Sequence, residues 1–117
     1  MKVGLALAGG GLKGVAYIGA LKALSELNIN VEYISGTSSG SMVATLFSMG
    51  YTCEEMRSLI LESYKYLVKV PKKPIISSAG TYLTQKKLKI EGLIPGERVE
   101  NLVQEAADKK NIHNVSD

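Results

Sequence analysis

Two short apolar runs in the first half of the chain are each followed by a glycine-rich turn. Residues 3–8 and 31–35 are rich in aliphatic and aromatic side chains, a composition typical of buried strands in a parallel sheet. Helical spacing relates the apolar residues between them, which are Tyr17, Ile18, Leu21, Leu24 and Leu27. We expect Asn28 and Asn30 to end that helix. Another helix is predicted after the second turn by Met42, Val43, Leu46 and Phe47, and Gly50 ends it.

The second half of the chain opens with a helix-start signal. Thr52 and Glu55 have the spacing of a capping box, in which each side chain accepts a hydrogen bond from the other residue's amide. The apolar face of the helix that follows consists of Met56, Leu59, Ile60 and Leu67. Pro71 and Pro74 are expected to end it. A weakly patterned connection leads to a last helix at residues 97–110, with Val99, Leu102, Val103, Ala106 and Ala107 facing inward.

The order of these elements predicts the fold class. Strand, helix, strand, helix and further helices are typical of an α/β fold with a parallel sheet and flanking helices. Only two strands are evident in the sequence, which are too few for a stable covered sheet. We therefore expect the sheet to be incomplete as given, and residues 1–117 to be the N-terminal portion of a single domain.

Composition is typical of a folded protein. Of the 117 residues, 45% are hydrophobic and 21% are charged, so the chain can bury one core. The lone Cys53 excludes an intramolecular disulfide and is expected to be a small buried or half-buried filler. Glycines from Gly9 to Gly14 interrupt the first apolar stretch, which argues against a secretion signal. We expect a cytoplasmic protein.

Charge is distributed unevenly along the chain. Residues 65–89 contain seven lysines and no acidic residue, whereas the rest of the chain carries seven basic residues and eleven acidic ones. The lysines are Lys65, Lys69, Lys72, Lys73, Lys86, Lys87 and Lys89. Such a segment suits peripheral contact with an anionic membrane, and it equally suits a solvated loop. Nucleic acid is not expected as a partner, because no recognisable binding motif is present.

The second glycine-rich turn, Gly36-Thr37-Ser38-Ser39-Gly40, fits the pattern G-x-S-x-G. A sharp strand-to-helix turn of this kind strains the backbone of the serine and presents its hydroxyl above the sheet. Gly36 and Gly40 would let the strand and the helix approach closely. Ser38 is therefore the candidate nucleophile, and the alternative is that its side chain only caps the helix.

The first turn, Gly9-Gly10-Gly11-Leu12-Lys13-Gly14, follows the first strand. Both turns are expected at the carboxyl edge of the sheet, where α/β proteins bind ligands. Consecutive glycines leave backbone amides unshielded, so Gly10 and Gly11 could form an oxyanion hole. Lys13 would anchor the loop or add positive potential.

A dinucleotide site is the competing interpretation of the first turn, because Gly9, Gly11 and Gly14 also fit G-x-G-x-x-G. Such a site expects an acidic residue at the end of the second strand, to bind the ribose hydroxyls. The only acidic residue of that strand, Glu32, lies near its start. The pattern therefore favours acyl transfer over nucleotide binding.

At these two turns the sequence resembles the patatin-like phospholipase family. Gly9 to Gly14 resemble that family's G-G-G-x-[RK]-G oxyanion loop, and the spacing to the turn around Ser38 is similar, as is the short helix between them. The resemblance implies an αβα sandwich and a Ser-Asp dyad that cleaves acyl esters of lipids, in the manner of a phospholipase or lysophospholipase. It also implies that no metal or other cofactor is needed. Carried over, Ser38 is the nucleophile, and the amides around Gly10, Gly11 and Leu12 hold the oxyanion.

One feature of that family is missing from the chain. Its second catalytic residue is an aspartate in an Asp-Gly-Gly or Asp-Gly-Ala turn, and here neither Asp108 nor Asp117 precedes a glycine. A serine hydroxyl needs an adjacent base to attack at neutral pH. We therefore expect the dyad aspartate to lie downstream of residue 117, and these 117 residues alone to be inactive.

Overall fold

The two predicted strands form a parallel sheet in the computed structural model, which describes residues 1–67 and 96–114, with side chains for residues 1–63 and 96–114. Strand β1 is Lys2–Leu7 and strand β2 is Asn30–Gly36. Their register ends with Leu7 opposite Gly36, and Glu32 is an extra residue that bulges out between two paired positions. The predicted α/β class with a parallel sheet and flanking helices is confirmed.

Helices follow the strands in the predicted order. A short 3₁₀ helix, Gly11–Val15, leads directly into α1, Ala16–Glu26. Helices α2, Ser39–Ser48, and α3, Cys53–Leu67, follow β2, and α4 is Gly96–Lys109. The predicted effect of Pro71 and Pro74, the inward position of Leu67 and the lysine-rich segment lie outside the described residues or side chains.

Three helices are each followed by a residue in the left-handed conformation. Asn28, Gly50 and Asn111 each follow a helix with a positive φ, of 55°, 78° and 55°. After α1, for example, the Ile29 amide donates to the Leu24 carbonyl and the Asn28 amide to the Ser25 carbonyl, which is the Schellman pattern. Asn28 therefore ends α1 as predicted, whereas Asn30 is already the first residue of β2. The chain turns away at Asn28, and Leu27, which helical spacing grouped with the apolar positions, is 69% exposed.

The core lies between one face of the sheet and the helices. Its most deeply buried side chains are Val43 on α2, Met56 on α3 and Ala106 on α4. The inward positions of β1 are Val3, Leu5 and Leu7, whereas the residues between them, Gly4 and Ala6, are exposed. The predicted inward faces of α2 and α4 are confirmed, and Cys53 is half-buried against this core, as expected.

The start of α3 is joined to the end of α4 by a group of polar contacts, here called the polar corner, which involves Tyr51, Thr52, Glu55 and Lys110. The predicted capping box is confirmed, because the Thr52 amide donates to Glu55 over 2.8 Å and the Glu55 amide donates to the Thr52 hydroxyl over 3.2 Å. Lys110 adds an ion pair to Glu55 and lies 4.6 Å from the centre of the Tyr51 ring. The Tyr51 hydroxyl in turn donates to the buried Ala106 carbonyl over 2.7 Å. These contacts fix α4 against the α2–α3 connection.

The charge of Glu55 in the polar corner is expected to make the free energy of unfolding depend on pH. The hydrogen bond from the Thr52 amide, followed by that from Lys110, lowers the pKa of Glu55. Its charged form therefore stabilises the fold above the ordinary carboxylate pKa of about 4.3, and this contribution is lost as the pH falls through the lowered value. We expect Glu55→Gln, which keeps the capping oxygen but not the charge, to lower the urea midpoint at neutral pH and not at about pH 2.

Glu100, an exposed carboxylate on α4, supplies the matched control for this prediction. Glu100→Gln should give a urea midpoint close to that of the unmodified chain at both pH values. A difference between Glu55→Gln and the unmodified chain that persists at low pH would contradict the proposed role of the Glu55 charge.

Candidate active site

Both glycine-rich turns lie at the carboxyl edge of the parallel sheet. Leu7 and Gly36, the last residues of the two strands, are direct partners in the sheet. The Thr37 amide then donates to the Leu7 carbonyl over 2.9 Å, which ties the start of the second turn to the start of the first. The predicted shared edge is therefore present.

Ser38 occupies a strained position between β2 and α2. Its φ of 53° and ψ of −124° lie in a region that side chains other than glycine rarely adopt. The residue is exposed, and no hydrogen bond from its side chain caps α2. The alternative that Ser38 serves only as a helix cap therefore lacks the contact that would define it. The positive end of the α2 dipole lies at this residue.

Two glycines allow the turn to be this tight. A Cβ built on Gly36 would collide with the backbone carbonyl of Gly40, and one built on Gly40 would lie 2.5 Å from the Leu7 carbonyl oxygen and 2.7 Å from that of Ala8. Such distances essentially never occur for real side chains. Both positions therefore require glycine, because α2 starts directly against the end of β1.

The first turn lies against the second. A Cβ built on Gly9 would be 3.2 Å from the Ser38 Cβ and 3.9 Å from its Oγ. One built on Gly14 would be 2.6 Å from both the Cβ and the Oγ of Ser39. The absence of side chains at Gly9 and Gly14 thus lets the first loop contact the two central residues of the second turn.

The candidate oxyanion residues form the exposed part of the first loop. Gly10, Gly11, Leu12 and Lys13 are all exposed, and Leu12 is 53% accessible. Gly11 has a φ of 56°, which favours glycine. The first hydrogen bond of the short helix runs from the Lys13 amide to the Gly10 carbonyl over 3.1 Å. The amides of Gly11 and Leu12 precede the Lys13 amide in the chain, so they donate no hydrogen bond within the short helix.

Asp108 is the only aspartate among the described residues. Asp108 lies on α4, where it accepts a hydrogen bond from Gln104 over 2.9 Å, and Asp117 is outside the described residues. Within residues 1–67 and 96–114, no group of three or more His, Cys, Asp or Glu side chains could hold a metal ion. Helices long and apolar enough to cross a membrane are also absent from that part of the chain.

The dinucleotide interpretation gains no support from β2. Glu32, its only acidic residue, bulges from the strand near its start and forms an ion pair with Lys2 over 2.8 Å. The end of the strand, beside the glycine turns, carries Ser35 and Gly36. The carboxylate that would bind ribose hydroxyls is therefore at the opposite end of the strand.

Two features of the site were not predicted from the sequence. The Tyr17 hydroxyl donates to the Ala8 carbonyl over 2.9 Å, although the pattern showed Tyr17 only as an apolar helix position. The Ser39 hydroxyl is buried against Gly14 and has no hydrogen-bond partner among the described residues. The phenolic hydroxyl was the available signal for Tyr17, because tyrosines with buried rings usually find a partner for it.

The fold and the two turns place this chain among α/β proteins whose parallel sheet carries a G-x-S-x-G turn at its carboxyl edge. More narrowly, the chain belongs to the patatin-like phospholipase family, whose profile matches residues 5–117. The resemblance seen in the two turns is thereby confirmed.

Three curated relatives match the chain over about half of its length or less. A protein named lysophospholipase NTE1 from Kluyveromyces lactis is 49% identical over 49 residues, which cover 42% of this chain and 3% of the relative. Uncharacterized protein R571 of Acanthamoeba polyphaga mimivirus is 43% identical over 61 residues, covering 50% of this chain and 20% of that protein. Uncharacterized protein YqhO of Bacillus subtilis is 41% identical over 54 residues, covering 46% and 19%. The chain thus matches only a small part of each relative, and no solved structure matches it.

Proposed function

We propose that this chain is the N-terminal portion of a single patatin-like hydrolase domain that cleaves acyl esters of lipids. The observation that carries the proposal is the contact between the two turns, with Gly9 packed against Ser38 at the carboxyl edge of the sheet. Membership of the patatin-like phospholipase family and the lysophospholipase name of a fungal relative support lipid esters as the substrate class. Phospholipids and lysophospholipids are the specific substrates proposed.

Ser38 is the proposed nucleophile of this reaction. Its Oγ attacks the acyl carbonyl carbon while its proton passes to the base, an aspartate downstream of residue 117. Collapse of the tetrahedral intermediate expels the alcohol, which takes that proton, and leaves the acyl group on Ser38. Water then hydrolyses the acyl-enzyme with the same carboxylate as base. The strained, exposed turn supports this role, since the Ser38 side chain makes no capping hydrogen bond to α2.

Backbone amides of Gly10, Gly11 and Leu12 are the proposed oxyanion donors. Removing one such donor from an acyl-transfer site typically costs about 3 kcal/mol of transition-state stabilisation. The proximity of Gly9 to the Ser38 Oγ supports this assignment, since the donors follow directly in the chain. The reaction needs no metal and no cofactor in this proposal.

Comparing two lengths of the protein tests the proposal. We expect a longer protein, one that extends beyond residue 117 to an Asp-Gly-Gly or Asp-Gly-Ala turn, to hydrolyse p-nitrophenyl acyl esters. The 117-residue chain alone should show no turnover above the uncatalysed rate, because the base is missing. A fluorophosphonate should label the longer protein at Ser38, as located by peptide mass spectrometry.

The outcomes separate the proposal from its alternative. Full turnover by the 117-residue chain would contradict the need for a downstream aspartate. The alternative is a non-catalytic lipid-surface module. It would be supported if the longer protein neither hydrolysed ester nor reacted with the fluorophosphonate, while the 117-residue chain bound anionic vesicles in a salt-sensitive way. Contact with an anionic membrane through residues 65–89 remains a prediction, as does a cytoplasmic location.

A further inference from the structure

The start of the first glycine loop is held by a single side chain. The hydroxyl of Tyr17, on the first turn of α1, donates to the Ala8 carbonyl over 2.9 Å. Ala8 is the residue immediately before Gly9, the glycine that packs against Ser38. The Tyr17 ring is half-buried and packs against the core. This packing fixes the position of the hydroxyl.

The loop that begins at Ala8 has little stiffness of its own. Three consecutive glycines, Gly9, Gly10 and Gly11, can adopt both positive and negative φ values, so their amides can point in many directions. The Thr37 amide holds the preceding residue, Leu7, and the Lys13 amide holds Gly10 from the other side. The Tyr17 hydrogen bond acts between these two fixed points.

This hydrogen bond sets the orientation of a peptide plane. The carbonyl of Ala8 and the amide of Gly9 belong to one planar trans peptide and point in opposite directions. Holding the carbonyl towards α1 therefore directs the Gly9 amide away from that helix and limits the path that the chain takes to Gly10 and Gly11. The Tyr17 side chain, 9 residues along the chain from Ala8, thus influences the orientation of the peptide that leads into the candidate oxyanion donors.

We propose that Tyr17 is a positioning residue for the acyl-transfer reaction, which acts through the Ala8 carbonyl on the backbone amides of the glycine loop. The role rests on the proposed hydrolase function. Tyr17 does not contact the reacting atoms. Its effect belongs to the chemical step, because the negative charge on the carbonyl oxygen develops in the transition state and tetrahedral intermediate and is absent from the bound ester.

Tyr17→Phe in the longer protein tests this role, because it removes the hydroxyl and keeps the ring. With p-nitrophenyl acyl esters we expect kcat per active site to fall about 10- to 100-fold, the range for reacting groups misplaced by up to about 1 Å. KM should change by less than about twofold, since ground-state binding is retained. The number of active sites is obtained from the fluorophosphonate-titratable serine.

Tyr33→Phe is the matched control. Tyr33 lies on β2 and is 72% exposed, so the same loss of a phenolic hydroxyl should leave both kcat and KM unchanged. The melting temperature of each variant should stay within about 4 °C of the unmodified protein, as expected for a change in stability of about 1 kcal/mol.

Each alternative outcome has a distinct meaning. A Tyr17→Phe variant with normal kcat per titrated serine overturns the positioning role, whether or not fewer serines are titratable, and leaves the proposed function intact. A fall in activity that lies entirely in KM overturns it as well. An unmodified longer protein that turns over no ester contradicts the hydrolase function itself, and the positioning role fails with it.

Discussion

We expect Ser38→Ala to abolish ester hydrolysis by the longer protein, with kcat falling by a factor of about 10⁴ or more. The Ser38 hydroxyl is the attacking group in the proposed reaction. The fold should be unaffected, because Ser38 is exposed and caps no helix with its side chain. Activity with p-nitrophenyl acyl esters and urea unfolding, measured on the same preparation, check both statements.

Ser48→Ala is the matched control for this variant. Ser48 is an exposed serine at the last position of α2, the helix that begins beside Ser38. Its loss should change kcat by less than about twofold, as expected for a surface substitution away from the site. Undiminished turnover by Ser38→Ala would overturn the assignment of the nucleophile.

Comparison with Ser38→Gly separates chemistry from backbone strain. Alanine keeps a Cβ at a φ of 53° and so keeps the strain, whereas glycine releases it. Strain of this type costs about 1–3 kcal/mol, and the added freedom of an unfolded glycine offsets about 1 kcal/mol of the gain. Both variants should therefore be inactive, but only Ser38→Gly should be more stable than the unmodified protein. That pattern is expected if strain is maintained for function.

Local rules predicted the elements that position the site. Strand composition, helical spacing and the Thr52–Glu55 capping box each act within a few residues, and each is present in the structure. The location of both turns at one edge follows from the parallel order of the strands, without any knowledge of side-chain contacts. The family could be recognised because the two turns combine fixed glycine positions with fixed spacing.

Contacts between distant residues could not be read from those rules. Helical spacing grouped Leu27 with the apolar positions of α1, but the helix ends at Glu26 and the chain takes a left-handed turn at Asn28, so Leu27 is exposed. Packing of Gly14 against Ser39 depends on how α2 meets the short 3₁₀ helix, a tertiary arrangement with no periodic signature. The Tyr17 hydroxyl likewise has a carbonyl as its partner, and every residue type offers that group. Sequence therefore indicated the candidate reacting residues, but not what holds them in place.

Gly40→Ala is expected to destabilise the chain by about 3 kcal/mol, the upper part of the range for overpacking a closely packed site. The added Cβ would lie 2.5 Å from the Leu7 carbonyl oxygen, 2.7 Å from that of Ala8 and 2.8 Å from the Leu7 carbonyl carbon. All three are backbone atoms, so no flexible side chain can move aside to make room. Relief requires α2 to shift away from the end of β1, which also moves Ser38 away from the first loop. Urea unfolding followed by circular dichroism measures the loss of stability.

Gly19→Ala distinguishes this steric effect from the ordinary preference of helices for alanine. Gly19 lies inside α1, and a Cβ added there would meet nothing within 4 Å. Alanine should therefore stabilise the chain by up to about 1 kcal/mol, as in an exposed helix interior. The same substitution should thus have opposite signs at the two glycines. If Gly40→Ala were as stable as Gly19→Ala, the tight approach of α2 to β1 would not exist in solution, and the geometry that places Ser38 beside Gly9 would fail with it.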